Sequence, residues 1–372
     1  MRYHQGVRPI LQNASCLLLV GASVGSLAVM AGCAGSAQDD LPLRGADPKP
    51  IVSTAAPSAS ASNTAVVVVS ASASAAVEPP PSACPTGMAL VDGNYCDNLE
   101  VNCLKKVYIP SNHLWVCHKV SEPTKCVGKE TPKRYCVDEY EFPNRKGERP
   151  MVMQNFYQAQ VHCAKVGKRV CTESEWTMAC EGPSRKPFPY GTGYERDPSK
   201  CNGDQPYKNP DKQKMIDGDK VELERLWQGK LSGSQPDCRS EWGVFDMNGN
   251  ADELAASETH NHNAPKKRRV DSTHFELPAN FDNVTTGGPW VVGVRNQCRP
   301  KIYTHDESFA YYYLSWRCCG EPDGKPTDPR APKQIERGWS FEKVRNIAAN
   351  SWKLPLNDKW PGDEGYTSSG PR

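Results

Sequence analysis

The stretch Val161-His-Cys-Ala-Lys-Val-Gly-Lys-Arg-Val-Cys-Thr-Glu-Ser-Glu-Trp176 decides how this chain is read. With the preceding Asn155-Phe-Tyr-Gln-Ala-Gln it places apolar residues at Phe156, Ala159, Val161 or Cys163, and Val166. That is helical spacing. Gly167 suits the position just past a helix C-terminus. Thr172 and Glu175 then stand as N-cap and N3 of a capping box. They open a second helix with Trp176, Ala179 and Cys180 on its buried face, and Gly182-Pro183 ends it. Two short helices, a turn between them and a cysteine in or beside each predict a compact, cross-linked unit.

The cysteines set the compartment. The 372-residue chain holds sixteen, widely spread, with no tandem CxxC array. Zinc ribbons and iron–sulfur ligation are not indicated. Residues 1–32 explain them. MRYHQGVRPILQNAS carries Arg2 and Arg8 and no acid, and CLLLVGASVGSLAVMAG is apolar and small. This is the layout of an export signal. Met30-Ala31-Gly32-Cys33 resembles a bacterial lipobox, with Met where Leu is usual, which implies cleavage before Cys33 and lipidation of its thiol. Ala34, rather than Asp, implies sorting to the outer membrane. The apolar run is short for a membrane span and contains three glycines. Without Cys16 and Cys33, fourteen cysteines remain, enough for seven disulfides in an oxidising compartment. Cys318 and Cys319 are adjacent, so each is expected to reach a different partner.

From Cys33 to residue 83 the chain is Ala, Ser, Val and Pro with few charges, which cannot bury enough surface to offset its ordering entropy. It reads as a tether from a lipid anchor to a folded part. Residues 84–130 form a Cys-rich extension with short strands near Met88–Val91 and Lys106–Ile109. Residues 131–320 form the main domain. Within it, 183–240 is rich in turn residues and reads as irregular loops. The basic run KKRRV, 266–270, reads as a solvated loop. Strands are expected at Pro289–Val294 and Tyr311–Cys318. The polar, Pro-rich tail 321–372 is expected to be mostly extended or disordered. Net charge is +2, so no nucleic-acid partner is indicated.

Several separated stretches point to one family. Residues 161–176 resemble the "C…GKRLPTEAEWE.A" signature of the formylglycine-generating enzyme, or sulfatase-modifying factor, family. Phe188-Pro-Tyr-Gly resembles its "PWG" turn, and Cys201-Asn-Gly-Asp the Asn that follows. Gly243-Val-Phe-Asp-Met-Asn-Gly-Asn-Ala-Asp-Glu resembles "GLYDMHGNVWEW", Gly287-Gly-Pro-Trp resembles "GGSW", and Leu314-Ser-Trp-Arg-Cys resembles "GFRC". The motifs keep family order over about 131–320. The resemblance implies an α+β, loop-rich, disulfide-stapled fold similar to C-type lectins, with two short helices and short antiparallel strands. It pairs Cys163 with Cys318 and Cys180 with Cys298; the flanking positions suggest Cys201 with Cys238.

The resemblance also implies a structural calcium ion, with side-chain oxygens from Asp246 and Glu253 and carbonyls from Gly249 and Ala251. Such oxygen donors on a Gly-containing turn suit Ca²⁺. The departures are Asp252 and Leu254, where the family has Trp. Active family members bind copper through two cysteines between the GGS motif and the next disulfide cysteine. Here Pro289-Trp-Val-Val-Gly-Val-Arg-Asn-Gln, before Cys298, is short and contains no cysteine, so the soft ligands that suit Cu(I) are missing. Copper is therefore not expected. Iron stays open, since relatives use histidine ligands and His260 and His262 form an HxH pair, though no three-ligand set stands out. Neither a G-x-S-x-G nucleophile nor a phosphate-binding Gly loop is present.

Two functions follow. One is a non-catalytic module, lipid-tethered in the cell envelope, that binds a peptide, protein or glycan. Trp290, Arg295, Arg299 and Tyr311–Tyr313 are its cleft candidates, although Trp290 and Tyr312 equally suit core packing. The other is a metal-dependent oxidase or oxygenase of the same superfamily, acting on a cysteine or small thiol.

Overall fold

The computed structural model describes residues 83–258, 269–270, 275–276, 281–291, 293–303, 305–338 and 340–350. The signal and tether, most of the KKRRV run, and His260, His262 and His274 lie outside the described residues.

The chain begins with strands β1 (Met88–Cys96), β2 (Leu99–Glu100), β3 (Cys103–Ile109), β4 (Leu114–Val120), β5 (Lys125–Cys126) and β6 (Glu130–Asp138). Then come α1 (Phe156–Lys165), β7 (Arg169–Val170), α2 (Glu173–Glu181), α3 (Lys212–Ile216), α4 (Lys220–Leu226) and β8 (Asp252–Ala256). The remainder holds β9 (Arg269–Val270), β10 (Phe275–Glu276), β11 (Asn283–Thr286), β12 (Lys301–Ile302), β13 (Leu314–Trp316), β14 (Cys318–Gly320), α5 (Pro332–Glu336) and α6 (Phe341–Asn350). Two four-stranded sheets, β1-β6-β14-β7 and β12-β11-β8-β13, form the centre, and the fold is α+β. All their pairings are antiparallel except β13 with β8, which is parallel.

The two helices read from residues 155–182 form where expected. Both carry a full capping box, Asn155 with Gln158 on α1 and Thr172 with Glu175 on α2. Gly167 takes the left-handed conformation after α1, at φ 70°. Trp176, Ala179 and Cys180 are fully buried and pack with Val91, Tyr135, Val137 and Ala255. α1 packs Phe156, Ala159 and Cys163 against Leu254, Leu314 and Trp316. The helices therefore cover the central sheets from separate cores, and alternation along β8 sends Leu254 to one core and Ala255 to the other.

Seven disulfides fasten this frame: Cys84–Cys136, Cys96–Cys126, Cys103–Cys117, Cys163–Cys318, Cys171–Cys319, Cys180–Cys298 and Cys201–Cys238. The neighbours Cys318 and Cys319 reach α1 and the β7–α2 joint respectively. Three bridges span 118 to 155 residues and tie the two helices to the last strands. On the chain-entropy model each such closure is worth about 4–5 kcal/mol.

Four expectations need correction. The described residues hold six α-helices rather than two. The 183–240 stretch contains α3 and α4, each started by an aspartate cap, Asp211 and Asp219. The described residues of 289–294 form no strand, only a single bridge from Val291 to Gln205. In its described part the tail is not mostly extended but carries α5 and α6, and α6 packs Val344 and Ala348, one helical turn apart, onto Val161 of α1. Its polar composition hides a narrow apolar stripe that suffices once a helix is there to receive it.

Candidate functional site

The family-like loop 243–254 bends through left-handed backbone at Asp246, Gly249 and Asn250. At Gly249, φ 81°, a Cβ would lie 2.4 Å from the carbonyl oxygen of Asn202, so only glycine fits. Asn250 uses its whole amide. Its Nδ2 donates to Glu141 Oε1 at 2.8 Å, and its Oδ1 accepts from the Lys230 N–H at 2.7 Å. Its backbone N–H donates to the Asn202 carbonyl at 2.7 Å. The loop thus gathers the 202, 230 and 141 segments around one side chain.

Beneath it lies a buried charge cluster. Glu253 of β8 and Arg317, between β13 and β14, are both 0% exposed. Arg317 donates to Glu253 through Nε at 2.8 Å and Nη2 at 2.6 Å, and Trp176 Nε1 donates to the same carboxylate at 2.8 Å. Arg317 also donates to the carbonyls of Asp138 and Phe245. Asp246 accepts from the Gly233 N–H at 2.6 Å. Glu141 accepts from Ser232 Oγ at 3.0 Å. Burial, and then repulsion from the neighbouring carboxylates, pushes the Glu141 carboxyl well above its ordinary range. Burial raises Asp246 as well, partly opposed by the Gly233 hydrogen bond and Arg317.

The four calcium positions therefore sit on one loop, but Glu253 is already engaged on both oxygens by Arg317 and Trp176. In this arrangement it does not present a free carboxylate to a cation. Among the described residues no group of three or more His, Cys, Asp or Glu side chains is arranged to hold a metal.

The cleft candidates are equally committed. Trp290 is fully buried, with its ring 4.8 Å from that of Trp227 and near Tyr312 and Tyr313. Arg295 grips Asp252 with both Nη atoms, at 2.8 and 2.7 Å. Arg299 pairs with Glu181 of α2 and donates to the Cys96 carbonyl at 2.8 Å. Arg295 stands in the very interval that lacks cysteines, and Asp252 stands where the family has Trp. Arg295 and Asp252 meet as one ion pair, with only 12% and 5% of their side chains exposed. His305, stacked on Phe309 with ring centres 3.6 Å apart, lies in the field of this pair, and burial lowers its pKa.

Sequence reasoning missed this pairing and the Arg317–Glu253 pair. Asp252 and Glu253 were visible as charged residues in an otherwise apolar strand, β8, the signal that a buried charge needs a counter-charge. Tyr311–Tyr313 were among the cleft candidates, but Tyr207 was not: its Oη lies 3.1 Å from Tyr311 Oη, and the Tyr311, Tyr312 and Tyr313 rings are 4.7–4.8 Å apart.

Comparison with known proteins gives the lineage. Among solved structures, PvdO from Pseudomonas aeruginosa is similar at 14% identity and TM-score 0.39, covering 62% of this chain and 93% of its own. CarF is similar at 11% identity and TM-score 0.37, covering 66% of this chain and 99% of its own. Treponema denticola variable protein 1 follows at 13% identity and TM-score 0.30, covering 62% and 98%. No curated protein matches the sequence. The family description "Sulfatase-modifying factor enzyme 1-like domain" matches residues 116–314, which is more than half of the chain and takes in the family-like motifs from Val161 to Trp290, ending at the first residue of Leu314-Ser-Trp-Arg-Cys. The chain belongs to the sulfatase-modifying factor enzyme 1-like family.

Proposed function

We propose that this chain is a cell-envelope lipoprotein whose sulfatase-modifying-factor-like domain binds or scaffolds without catalysing the family's oxidation. Lipidated Cys33 and the 34–83 tether hold the domain at the outer membrane. The observation that carries the reading is the Arg295–Asp252 ion pair in the cysteine-free interval before Cys298. The interval in which the resemblance places the copper cysteines offers no thiolate, and the guanidinium that stands within it is a cation and cannot ligate one. Every cysteine among the described residues is in a disulfide, so none is available as a thiolate. The test is incubation of the purified chain with a cysteine-containing sulfatase-type peptide, copper and O₂, followed by mass spectrometry. No aldehyde product is expected. Conversion of the cysteine at catalytic stoichiometry contradicts the reading.

Calcium in loop 243–254 is a second proposal. What favours it is charge: three buried carboxylates, Glu141, Asp246 and Glu253, face a single guanidinium, Arg317. A cation bound by Asp246 and the Gly249 and Ala251 carbonyls would relieve the excess, with Glu253 exchanged or shared with Arg317. If so, chelator lowers the melting temperature of the parent but not of an Asp246→Ala, Glu253→Ala variant. Indifference of the parent to chelator removes calcium from the account.

A further inference from the structure

The β3–β4 hairpin lies at the edge of the family match and is not absorbed by the function above. Its sequence, Val101 to Ser121, contains no Asp or Glu and carries Lys105, Lys106 and Lys119. None of these three lysines forms an ion pair among the described residues. One face is fixed to the body: Val116 and Val120 are buried, and Val120 packs with Phe188 and Tyr190. The other is open. It carries Trp115, 62% exposed, and Tyr108, 42% exposed, and beyond a register irregularity at Lys105 the strand of Tyr108 exposes Leu104 at 63%. Leu104 and Trp115 are among the most exposed large apolar side chains of the described residues. Tyr108 and Trp115 are cross-strand partners with ring centres 5.4 Å apart. Alternation puts Lys106 on their face.

The hairpin is also rigid. The Cys103–Cys117 disulfide staples it across its base. At the tip, Tyr108 Oη and His113 Nδ1 lie 3.3 Å apart, and Asn112 Oδ1 accepts the Tyr207 N–H. The disulfide and these contacts hold the strands from which Trp115 and Leu104 are exposed.

We propose that this hairpin docks the domain on an anionic lipid surface. Leu104 and Trp115 enter the headgroup–acyl boundary, Tyr108 sits at the interface, and the lysines meet lipid phosphates. An exposed aliphatic chain gains from acyl chains and little from a sugar ring, and Trp and Tyr favour the membrane interface. Lysines bury their stems along apolar surface while keeping the ammonium among phosphates. The surplus of positive charge, with no acid on the hairpin, selects an anionic membrane over a neutral one. This contact would act beside the lipid anchor proposed at Cys33 and orient the domain against the membrane, but it does not depend on that anchor.

The test uses the full chain carrying Cys33→Ser, so that no lipid is attached and any leader contributes equally to every sample. It is sedimented with vesicles of phosphatidylcholine alone or mixed equally with phosphatidylglycerol. Two variants are compared in the same background, Leu104→Ser with Trp115→Ser, and Lys105→Gln with Lys106→Gln and Lys119→Gln. All substituted residues are exposed, so the melting temperature should stay that of the parent. The parent should bind the anionic vesicles, with salt weakening the binding. The lysine variant should lose about a hundredfold and the apolar variant about tenfold or more. Equal binding of all three, absence of parent binding, or retention on an anionic polysaccharide with none on vesicles each overturns the proposal.

Discussion

At the scale of single residues, the molecule replaces expected features with ion pairs. Arg317 and Glu253 are wholly enclosed, with a second carboxylate pair, Glu141 and Asp246, close by. Removing one member of such a pair leaves an uncompensated buried charge. Arg317→Met is therefore expected to cost about 3–5 kcal/mol, read by chemical denaturation. Adding Glu253→Gln should recover part of that loss, because the stranded charge goes with it. A loss under about 1 kcal/mol for Arg317→Met would mean that the cluster is hydrated or protonated in a way that makes the guanidinium dispensable. Arg295–Asp252 follows the same logic nearer the surface. Here the sequence was only half legible. The departure at 252 and the cysteine-free interval that contains Arg295 could each be seen, but nothing along the chain says that positions 43 apart touch. Trp290, Arg295 and Arg299 looked like cleft residues because charge and aromaticity mark both ligand sites and structural clamps, and only burial separates them.

Among the elements, capping and cross-linking were the legible part. Thr172 and Glu175 announce α2 because the box needs those residue types three apart, and the motif order implied two of the long disulfides. What local pattern could not give was α6, whose few apolar positions become meaningful only beside α1. The β7–α2 joint adds a pH-dependent device. Arg169 grips Glu175 through both Nη atoms at 2.6 Å, beneath the Thr172 cap. Burial alone would raise the Glu175 carboxyl, but Arg169 and its hydrogen bonds outweigh that and hold it at about 2, against an ordinary 4.5. A depressed folded-state value means that its stabilisation is complete above the unfolded value and is lost as pH falls towards the folded one. Unfolding free energy should therefore decline between about pH 4.5 and 2, and Glu175→Gln should flatten that decline. An unchanged slope in the variant would remove Glu175 from acid unfolding.

Taken whole, the domain is a frame in which disulfides join the helical half to the closing strands, with the ion pairs Arg317–Glu253 and Arg295–Asp252 held inside it. The family's scaffold was readable because its motifs are spread over the chain in order. Its fate was readable only in part, because a missing cysteine pair shows what is gone and not what stands there. The interval before Cys298 carries Arg295, held by Asp252. The direct test is copper retention. The full chain, disulfides intact, is exposed anaerobically to one equivalent of copper(I), desalted and analysed for metal. The account predicts well under one copper per chain. One equivalent retained through desalting would contradict it and return the domain to the oxidising enzymes of its family.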